Sequence, residues 1–157
     1  MIAYLGLGSN LGDRRAAIER ALVALTRLGL LESRSHLYET DPEGGADQPK
    51  YINAAVRLRT DHSARSLLEA CLAIEREQGR TRPPTGEKAP RTLDIDVLLY
   101  GDQVIDEPGL HVPHPSLLLR TFVRIPLAEV ALPGLRHPMM GVVLDSSPPD
   151  PTVRRLD

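Results

Sequence analysis

The chain has 157 residues, a formal net charge of -2 and a sequence pI of about 6.2. This length suits one domain with a substantial buried core, and the weak acidity excludes a dedicated nucleic-acid binder, which would carry a basic surplus. No run approaches the roughly 18 apolar residues of a membrane-spanning helix, and no basic leader precedes the first strand, so we expect a soluble cytoplasmic protein. The single cysteine, Cys71, cannot form an intrachain disulfide and is predicted to lie in the core.

The first elements are a strand, a helix and a second strand. Residues 2–8 form a nearly continuous apolar run, which is typical of a central strand covered on both faces. A helix follows, with Asp13 placed to cap its start and Gly29 to end it. A less regular strand is predicted from about residue 30 to residue 39. The apolar stripe of the helix consists of Ile18, Ala21, Leu22, Leu25 and Leu28.

The next three elements are a strand, a helix and a strand. Residues 51–59 alternate most clearly, with Ile52, Ala54, Val56 and Leu58 on one face and Tyr51, Asn53, Ala55, Arg57 and Arg59 on the other. A helix begins at Ser63 and ends at Gly79, with Leu67, Leu68, Cys71 and Ile74 as its core stripe. The strand that contains Asp94 and Asp96 comes last.

The order of these elements predicts an α+β fold. Strand, helix, strand, strand, helix, strand (βαββαβ) matches the ferredoxin-like split βαβ arrangement, an antiparallel sheet with helices on one face, here with a C-terminal extension. That extension contains a short helix around residues 126–130. We expect residues 1–145 to form a single domain and residues 146–157, which have little to bury, to form a flexible C-terminal tail.

Asp94 and Asp96 form the most informative motif. Side chains two apart in a strand share a face, about 6.6 Å apart at Cα, so both carboxylates point one way while Leu93, Ile95, Val97 and Leu99 fill the other side. Two carboxylates suit Mg²⁺, which adds waters and substrate phosphates. An isolated Asp-x-Asp is more often the solvated polar face of an edge strand. Here, however, cationic side chains outnumber acidic ones in the preceding segment, which favours a phosphate site. Those cations are Arg76, Arg80, Arg82, Lys88 and Arg91, against Glu77 and Glu87.

Neither standard phosphate loop is present. Gly6-x-Gly8 is followed by Leu11 where the dinucleotide fingerprint needs its third glycine, and nothing fits the P-loop pattern. A nucleotide would therefore be held by arginines and metal. His114, between two prolines, is more often structural when it stands alone. Phe122, the only phenylalanine, and Tyr51 beside Asn53 also allow a second interpretation, in which two rings stack on a flat heterocycle whose edge the amide reads.

Several sequence blocks occur in order between residues 1 and 132. They are Gly8-Ser9-Asn10-Leu11-Gly12, Tyr51-Ile52-Asn53-Ala54-Ala55-Val56, Glu75 with Gln78-Gly79-Arg80-Thr81-Arg82, Pro90-Arg91-Thr92-Leu93-Asp94-Ile95-Asp96, and Val112-Pro113-His114-Pro115 with Arg120-Thr121-Phe122-Val123. Together these blocks closely resemble the 6-hydroxymethyl-7,8-dihydropterin pyrophosphokinases of folate synthesis, and the block that ends in the two aspartates is the most specific.

The resemblance implies an activity and a set of residue roles. ATP would give its pyrophosphoryl group to the pterin's hydroxymethyl oxygen and release AMP, with two Mg²⁺ ions on Asp94 and Asp96 and no protein general base. The implied catalytic residues are Arg80, Arg91, Asp94 and Asp96. The implied ATP-binding residues are Glu75, Arg82, Arg91, His114 and Arg120. The implied pterin-binding residues are Thr40, Glu43, Tyr51, Asn53, Asp94 and Phe122. Nothing in the sequence requires more than a monomer.

Two other functions are compatible with parts of this residue pattern. A two-metal nucleotidyltransferase of the polymerase-β kind also uses Gly-Ser and Asp-x-Asp, but there Gly-Ser closely precedes the aspartates, whereas Ser9 lies far ahead of Asp94. A non-catalytic ferredoxin-like binding module would make the carboxylates incidental, and the clustering of arginines and aspartates at converging strand ends argues against it. Analysis of the reaction products distinguishes all three.

Overall fold

A computed structural model describes residues 1–10, 12–41, 50–79 and 93–156. The strands are β1 (Ile2–Ser9), β2 (Leu30–Arg34), β3 (Leu37–Thr40), β4 (Tyr51–Arg59), β5 (Asp94–Tyr100), β6 (Ile105–Glu107), β7 (Leu110–Val112) and β8 (Arg154–Leu156). The helices are α1 (Arg14–Leu25), α2 (Ala64–Glu77) and α3 (Thr121–Val130). None of the helices in these ranges is long and apolar enough to span a membrane.

The main sheet is antiparallel and has the order β5-β1-β4-β3-β8, with β2 also paired to β4. β6 and β7 form a separate small sheet. β1 lies between β5 and β4, as its continuous apolar run predicted, and most of its residues are buried. This arrangement confirms the α+β, ferredoxin-like prediction.

Helices cover both faces of the sheet. The two helices of the βαββαβ unit share one face, as predicted, and the helix of the C-terminal extension covers the other. α1 and α2 pack on the face that presents Leu5, Val56 and Ile95. α3 packs on the opposite face, where Leu127 and Val130 join a second cluster. That face carries Tyr4, Ala55 and Leu98 from the sheet. The sequence pattern does not indicate this second cluster, because Ala55 and Leu98 are single apolar residues on strand faces that otherwise carry polar side chains.

A β-bulge in β5 corrects the predicted face of one residue. The pairing of β5 with β1 shifts register between the partners of Tyr4 and Leu5. Because one extra residue reverses the alternation of side chains, Leu99 joins the second cluster instead of lying with Val97 on the first. Leu93 and Ile95 do lie with Val97 in the first cluster, as predicted.

Two element boundaries differ from the sequence-based prediction. α1 is capped by Asp13, whose Oδ1 accepts a hydrogen bond from the Ala16 N–H as expected, but it ends at Leu25, before Gly29. A Cβ at Gly29 would lie 2.1 Å from the Arg59 carbonyl oxygen, so close backbone approach requires this glycine. α3 begins at Thr121 with Pro126 inside it.

The single strand predicted over residues 30–39 is interrupted. β2 ends at Arg34 and β3 begins at Leu37. At the break, the Ser35 N–H donates to the Ala55 carbonyl, and the Ser35 hydroxyl accepts from the Ala55 N–H. A side chain therefore replaces a backbone carbonyl at this point, which a strand pattern does not reveal.

Residues 146–157, which composition marked as a flexible tail, contribute a strand. β8 pairs with β3 in the register Leu37 to Leu156, Tyr38 to Arg155 and Glu39 to Arg154. Leu156 also packs against the first core cluster. The structure differs from the predicted tail because a strand can be held by backbone hydrogen bonds, which do not require apolar side chains.

Glu75 is a carboxylate inside the core. Its side chain is 2% exposed, and its Oε2 accepts a 2.7 Å hydrogen bond from the Ile95 N–H in β5. Nearby, burial raises the pKa of the Cys71 thiol to about 12, with the charges of Glu75 and Asp96 adding to the effect. Cys71 is thus the buried core residue that was predicted, and Glu75 joins α2 to β5 between the two aspartates.

We expect Glu75→Ala to lower the free energy of unfolding by about 3 kcal/mol, because the buried Ile95 amide loses its acceptor and a cavity remains. Urea unfolding measures this change. The matched control is Glu69→Ala, on the exposed side of the same helix, for which the expected change is under about 0.5 kcal/mol. Equal values for the two variants would contradict the structural role of Glu75.

Candidate active site

β1 gives two glycines to the face that carries the aspartates. In the registers of β4, β1 and β5, Asn53, Gly8 and Asp94 form one row across three strands. Ala55, Gly6 and Asp96 form the next row. Neighbouring strands are about 4.8 Å apart, so Asn53 and Asp94 stand about 10 Å apart over a strand that has no side chain between them.

Because they lack side chains, the two glycines leave the face of β1 between β4 and β5 open; this face is called the glycine floor below. A Cβ added at Gly8 would lie 3.1 Å from the Asn53 Oδ1, and one at Gly6 would lie 3.4 Å from methyl carbons of Leu98. As a dinucleotide fingerprint, Gly6-x-Gly8 is incomplete. Its spacing of two is the signal that matters here, because it places both glycines on one face of a strand.

Asp94 and Asp96 are both half-buried and share a face, as predicted. The His114 Nε2 lies 3.9 Å from the Asp96 Oδ2. The described ranges contain no group of three or more His, Cys, Asp and Glu side chains that could hold a metal. Two carboxylates on one face fit Mg²⁺, which prefers oxygen ligands and completes its coordination sphere with water and substrate phosphate.

His114 is held by its own loop. Its N–H donates to the Leu98 carbonyl at 2.9 Å, and the Ser116 N–H donates to its Nδ1 at 3.1 Å. The proton of the neutral ring is therefore on Nε2, the atom nearer Asp96. Burial lowers the pKa of His114, and the charge of Arg120 lowers it further, while Asp94 raises it. The imidazole is a neutral donor at pH 7.

Asn53 and Thr40 form a buried polar pair at the other end of the glycine row. The Asn53 Nδ2 donates to the Thr40 hydroxyl at 2.8 Å, which fixes the plane of the amide. Tyr51 pairs with Thr40 in register and is half-buried on the same face of β4. The structure thus brings together a fixed amide and an aromatic ring, as the pattern of β4 predicted.

α3 adds two residues over this face. Phe122 is half-buried in the first turn of the helix, and the guanidinium carbon of Arg120 lies 5.7 Å from the centre of its ring. This cation–π distance places a positive charge beside an aromatic surface. Because α3 packs on the Tyr4 and Ala55 side of the sheet, both residues belong to the same face as Asn53 and the aspartates.

The structure places one further predicted site residue away from this face and does not describe four others. Glu75 lies within the core, bonded to Ile95. Glu43, Arg80, Arg82 and Arg91 lie outside the described residues. Their roles stay predictions from the sequence.

Solved structures share this fold. A crystal structure of Plasmodium falciparum HPPK-DHPS wild type with SDX-DHP aligns with a TM-score of 0.71 at 16% identity, covering 92% of this chain and 43% of that one. A structure of HPPK-DHPS in complex with substrates gives a TM-score of 0.70 at 14% identity, covering 92% of this chain. The chain spans about two fifths of the length of those structures, 42% in the second case. At such identities the likeness shows the fold alone.

Relatives of known name are closer in sequence. The 2-amino-4-hydroxy-6-hydroxymethyldihydropteridine pyrophosphokinase of Pseudomonas aeruginosa is 47% identical over 137 residues, 86% of this chain and 83% of the relative. The Bacillus subtilis protein of the same name is 42% identical over 131 residues, 82% of this chain and 77% of the relative. The folic acid synthesis protein fol1 of Schizosaccharomyces pombe is 41% identical over 139 residues, 87% of this chain and 19% of the relative.

The match to a family model covers the elements that build the site. It runs over residues 4–132, from β1 through α3. By this match and by its relatives, the chain belongs to the 7,8-dihydro-6-hydroxymethylpterin-pyrophosphokinase (HPPK) family.

Proposed function

We propose that this chain transfers the β,γ-pyrophosphoryl group of ATP to the hydroxymethyl oxygen of 6-hydroxymethyl-7,8-dihydropterin, a step of folate biosynthesis. The substrate oxygen bonds to the β-phosphorus, and the bond from that phosphorus to the oxygen bridging to the α-phosphate breaks. AMP leaves with the electron pair, and the hydroxyl proton passes to solvent. The observation that carries the proposal is the Asn53, Gly8 and Asp94 row in a member of this family.

The pterin lies at the Asn53 end of the row. Tyr51 and Phe122 provide aromatic surfaces on which the flat bicycle stacks. The amide of Asn53, oriented by Thr40, pairs with donors and acceptors on the edge of the ring. Gly8 gives the ring room to lie against the strand. Glu43 completes the pterin-binding set as a prediction from the sequence.

The reacting phosphates lie at the aspartate end. Asp94 shares its row with Asn53 and therefore faces the pterin hydroxyl, whereas Asp96, near His114, faces the nucleotide. The two carboxylates would hold two Mg²⁺ ions, which would neutralise phosphate charge and activate the hydroxyl. The chain itself orients the reactants in line.

Cationic and neutral donors position ATP. The Nε2–H of neutral His114 donates to a phosphate oxygen, and Arg120, on the cation–π contact with Phe122, adds a fixed positive charge. We keep Glu75 and Arg82 as ATP-binding residues and Arg80 and Arg91 as residues that assist transfer, on the strength of their sequence positions.

The remaining proposals concern the domain, the oligomeric state, the location and the partners of the protein. We propose that residues 1–145 carry the catalytic and substrate-binding side chains of a single domain, to whose sheet β8 adds a further strand, that the protein works as a monomer, and that it does so in the cytoplasm. ATP and the dihydropterin are its small-molecule substrates, and no nucleic acid or membrane takes part.

The test of this function is product analysis. Incubated with ATP, Mg²⁺ and the hydroxymethyl dihydropterin, the protein should produce AMP and the pterin diphosphate in equal amounts, as measured by ion-exchange chromatography. ADP would indicate an ordinary kinase, free pyrophosphate would indicate nucleotidyl transfer, and no turnover would indicate a binding module. Each of those outcomes would overturn the proposal.

Asp94→Asn and Asp96→Asn should each reduce turnover by at least about 10³-fold, since metal-ion stabilisation of the transition state is worth several kcal/mol. Binding of a non-hydrolysable ATP analogue should also lose its dependence on Mg²⁺. The matched control is Asp102→Asn, an exposed aspartate at the turn after β5. Near-normal turnover in either strand variant, with Mg²⁺-dependent binding intact, would remove the metal assignment.

Gly8→Ala should raise the dissociation constant of the pterin about tenfold or more, because the new methyl lies 3.1 Å from the Asn53 Oδ1 in the space between Asn53 and Asp94. Isothermal titration measures it. Gly6→Ala, whose methyl meets Leu98 side-chain atoms at 3.4 Å, should weaken pterin binding much less. Equal effects of the two substitutions would show that Gly8 has no particular role in seating the ring.

A further inference from the structure

Asp150 bonds to the helix that carries Phe122, although it lies beyond the family match, which ends at residue 132. Its Oδ2 accepts a hydrogen bond from the Thr121 hydroxyl. Its Oδ1 accepts from the Thr152 N–H at 2.9 Å and from the Thr152 hydroxyl at 2.7 Å. The carboxylate is therefore fixed by its own turn and has one oxygen committed to the first residue of α3.

The start of α3 benefits from such a contact. Its N-cap residue, Arg120, makes no side-chain capping hydrogen bond. A negative charge at a helix N-terminus is favoured by the helix dipole. The hydrogen bonds from Thr121 and Thr152 lower the pKa of Asp150, so the group is ionised at neutral pH. Asp150 thus places a negative charge at the N-terminal end of α3, held there by its hydrogen bond from the Thr121 hydroxyl.

The same segment is attached to the other side of the site. β8 pairs with β3, and the Arg154 Nη2 lies 3.6 Å from the Asp41 Oδ1 and 3.9 Å from the Glu39 Oε1. Thr40, which orients the Asn53 amide, lies between these two acidic residues. Residues 150–156 therefore connect the end of β3 to the start of α3.

We propose that Asp150 is a positioning residue for the pterin site, acting through Thr121. Residues 150–156, here named the C-terminal brace, hold the first turn of α3 at a fixed position relative to β3. They thereby set the gap between Phe122 on the helix and the Thr40–Asn53 pair on the sheet. The inference rests on the proposed function, because the group seated in that gap is the pterin.

Asp150→Ala should raise the KM for the pterin roughly fivefold, the equivalent of one partly exposed hydrogen bond to a charged group, with kcat within about twofold at saturation. Asp150→Asn should stay within about twofold of wild type, because its amide still bonds to the Thr121 hydroxyl. Thr121→Val should reproduce the Asp150→Ala effect, and the double variant should add nothing further, since both substitutions remove one interaction.

The matched control is Asp145→Ala. Asp145 belongs to the same C-terminal region, but its Oδ2 accepts from the Gly134 N–H at 2.7 Å instead of from α3. Its removal should leave the KM for the pterin unchanged. If Asp150→Ala does not fold, Thr121→Val, which keeps the side-chain volume, carries the same prediction.

The possible outcomes distinguish failure of this inference from failure of the proposed pyrophosphoryl transfer. If wild type releases AMP and Asp150→Ala keeps its KM for the pterin, or if the two single effects add, the brace is overturned and the function stands. If wild type transfers nothing, the function fails, and hydrogen exchange at the Val123 and Arg124 amides decides the brace. Faster exchange in Asp150→Ala supports the brace, and unchanged exchange overturns it.

Discussion

The candidate site depends on the difference between the two faces of β1, one of which carries large apolar side chains while the other carries two glycines. Leu5 and Leu7 point into the core beneath α1 and α2, and this burial anchors the strand at the centre of the sheet. On the other face, Gly6 and Gly8 let β4 and β5 present their polar residues across an open floor. Glycine weakens a strand interior, so this floor is tolerable only where the opposite face is fully buried and both edges are paired.

The aspartate pair is held in place by interactions on the reverse side of β5. At about 6.6 Å and an effective dielectric near 20, two carboxylates repel by about 2.5 kcal/mol. Ile95, between them, is buried in the first cluster, and its amide donates to the core carboxylate of Glu75. The strand geometry is therefore independent of whether the pair is neutralised, and a cation relieves repulsion without reorganising the backbone. This is preorganisation in the sense used for catalytic sites.

The sequence predicted the parts of the molecule that follow local rules. β1, β4 and the starts of α1 and α2 follow from apolar periodicity and from the caps at Asp13 and Ser63. Three features did not follow from it. The bulge that moves Leu99, the break at Ser35 and the pairing of β8 each depend on a partner distant in the chain. Of the site, the shared face of Asp94 and Asp96 was predictable from spacing alone, whereas the position of Gly6 and Gly8 between them and β4 emerged only from register.

Phe122 is more sensitive to displacement than the residues on the sheet, because it stands at one end of a helix fixed at the other. The C-terminal end of α3 is tied to the sheet by the Arg57 Nη1, which donates to the Val130 carbonyl, and by the Tyr4 hydroxyl, which accepts from the Leu132 N–H. At about 1.5 Å per residue, Phe122 lies about 12 Å from Val130 along the axis.

A tilt of about 5° about that anchored end would move the Phe122 ring by about 1 Å, which is enough to weaken its stacking against a bound ring and so to raise the KM for the pterin. The sheet fixes Asn53 and Asp94 through many backbone hydrogen bonds, whereas α3 is held by side-chain packing of Leu127 and Val130 and by hydrogen bonds at its two ends. The start of the helix lies farthest from the Val130 end. A single hydrogen bond there, from Thr121 to Asp150, therefore has the largest effect on the distance between Phe122 and the Thr40–Asn53 pair.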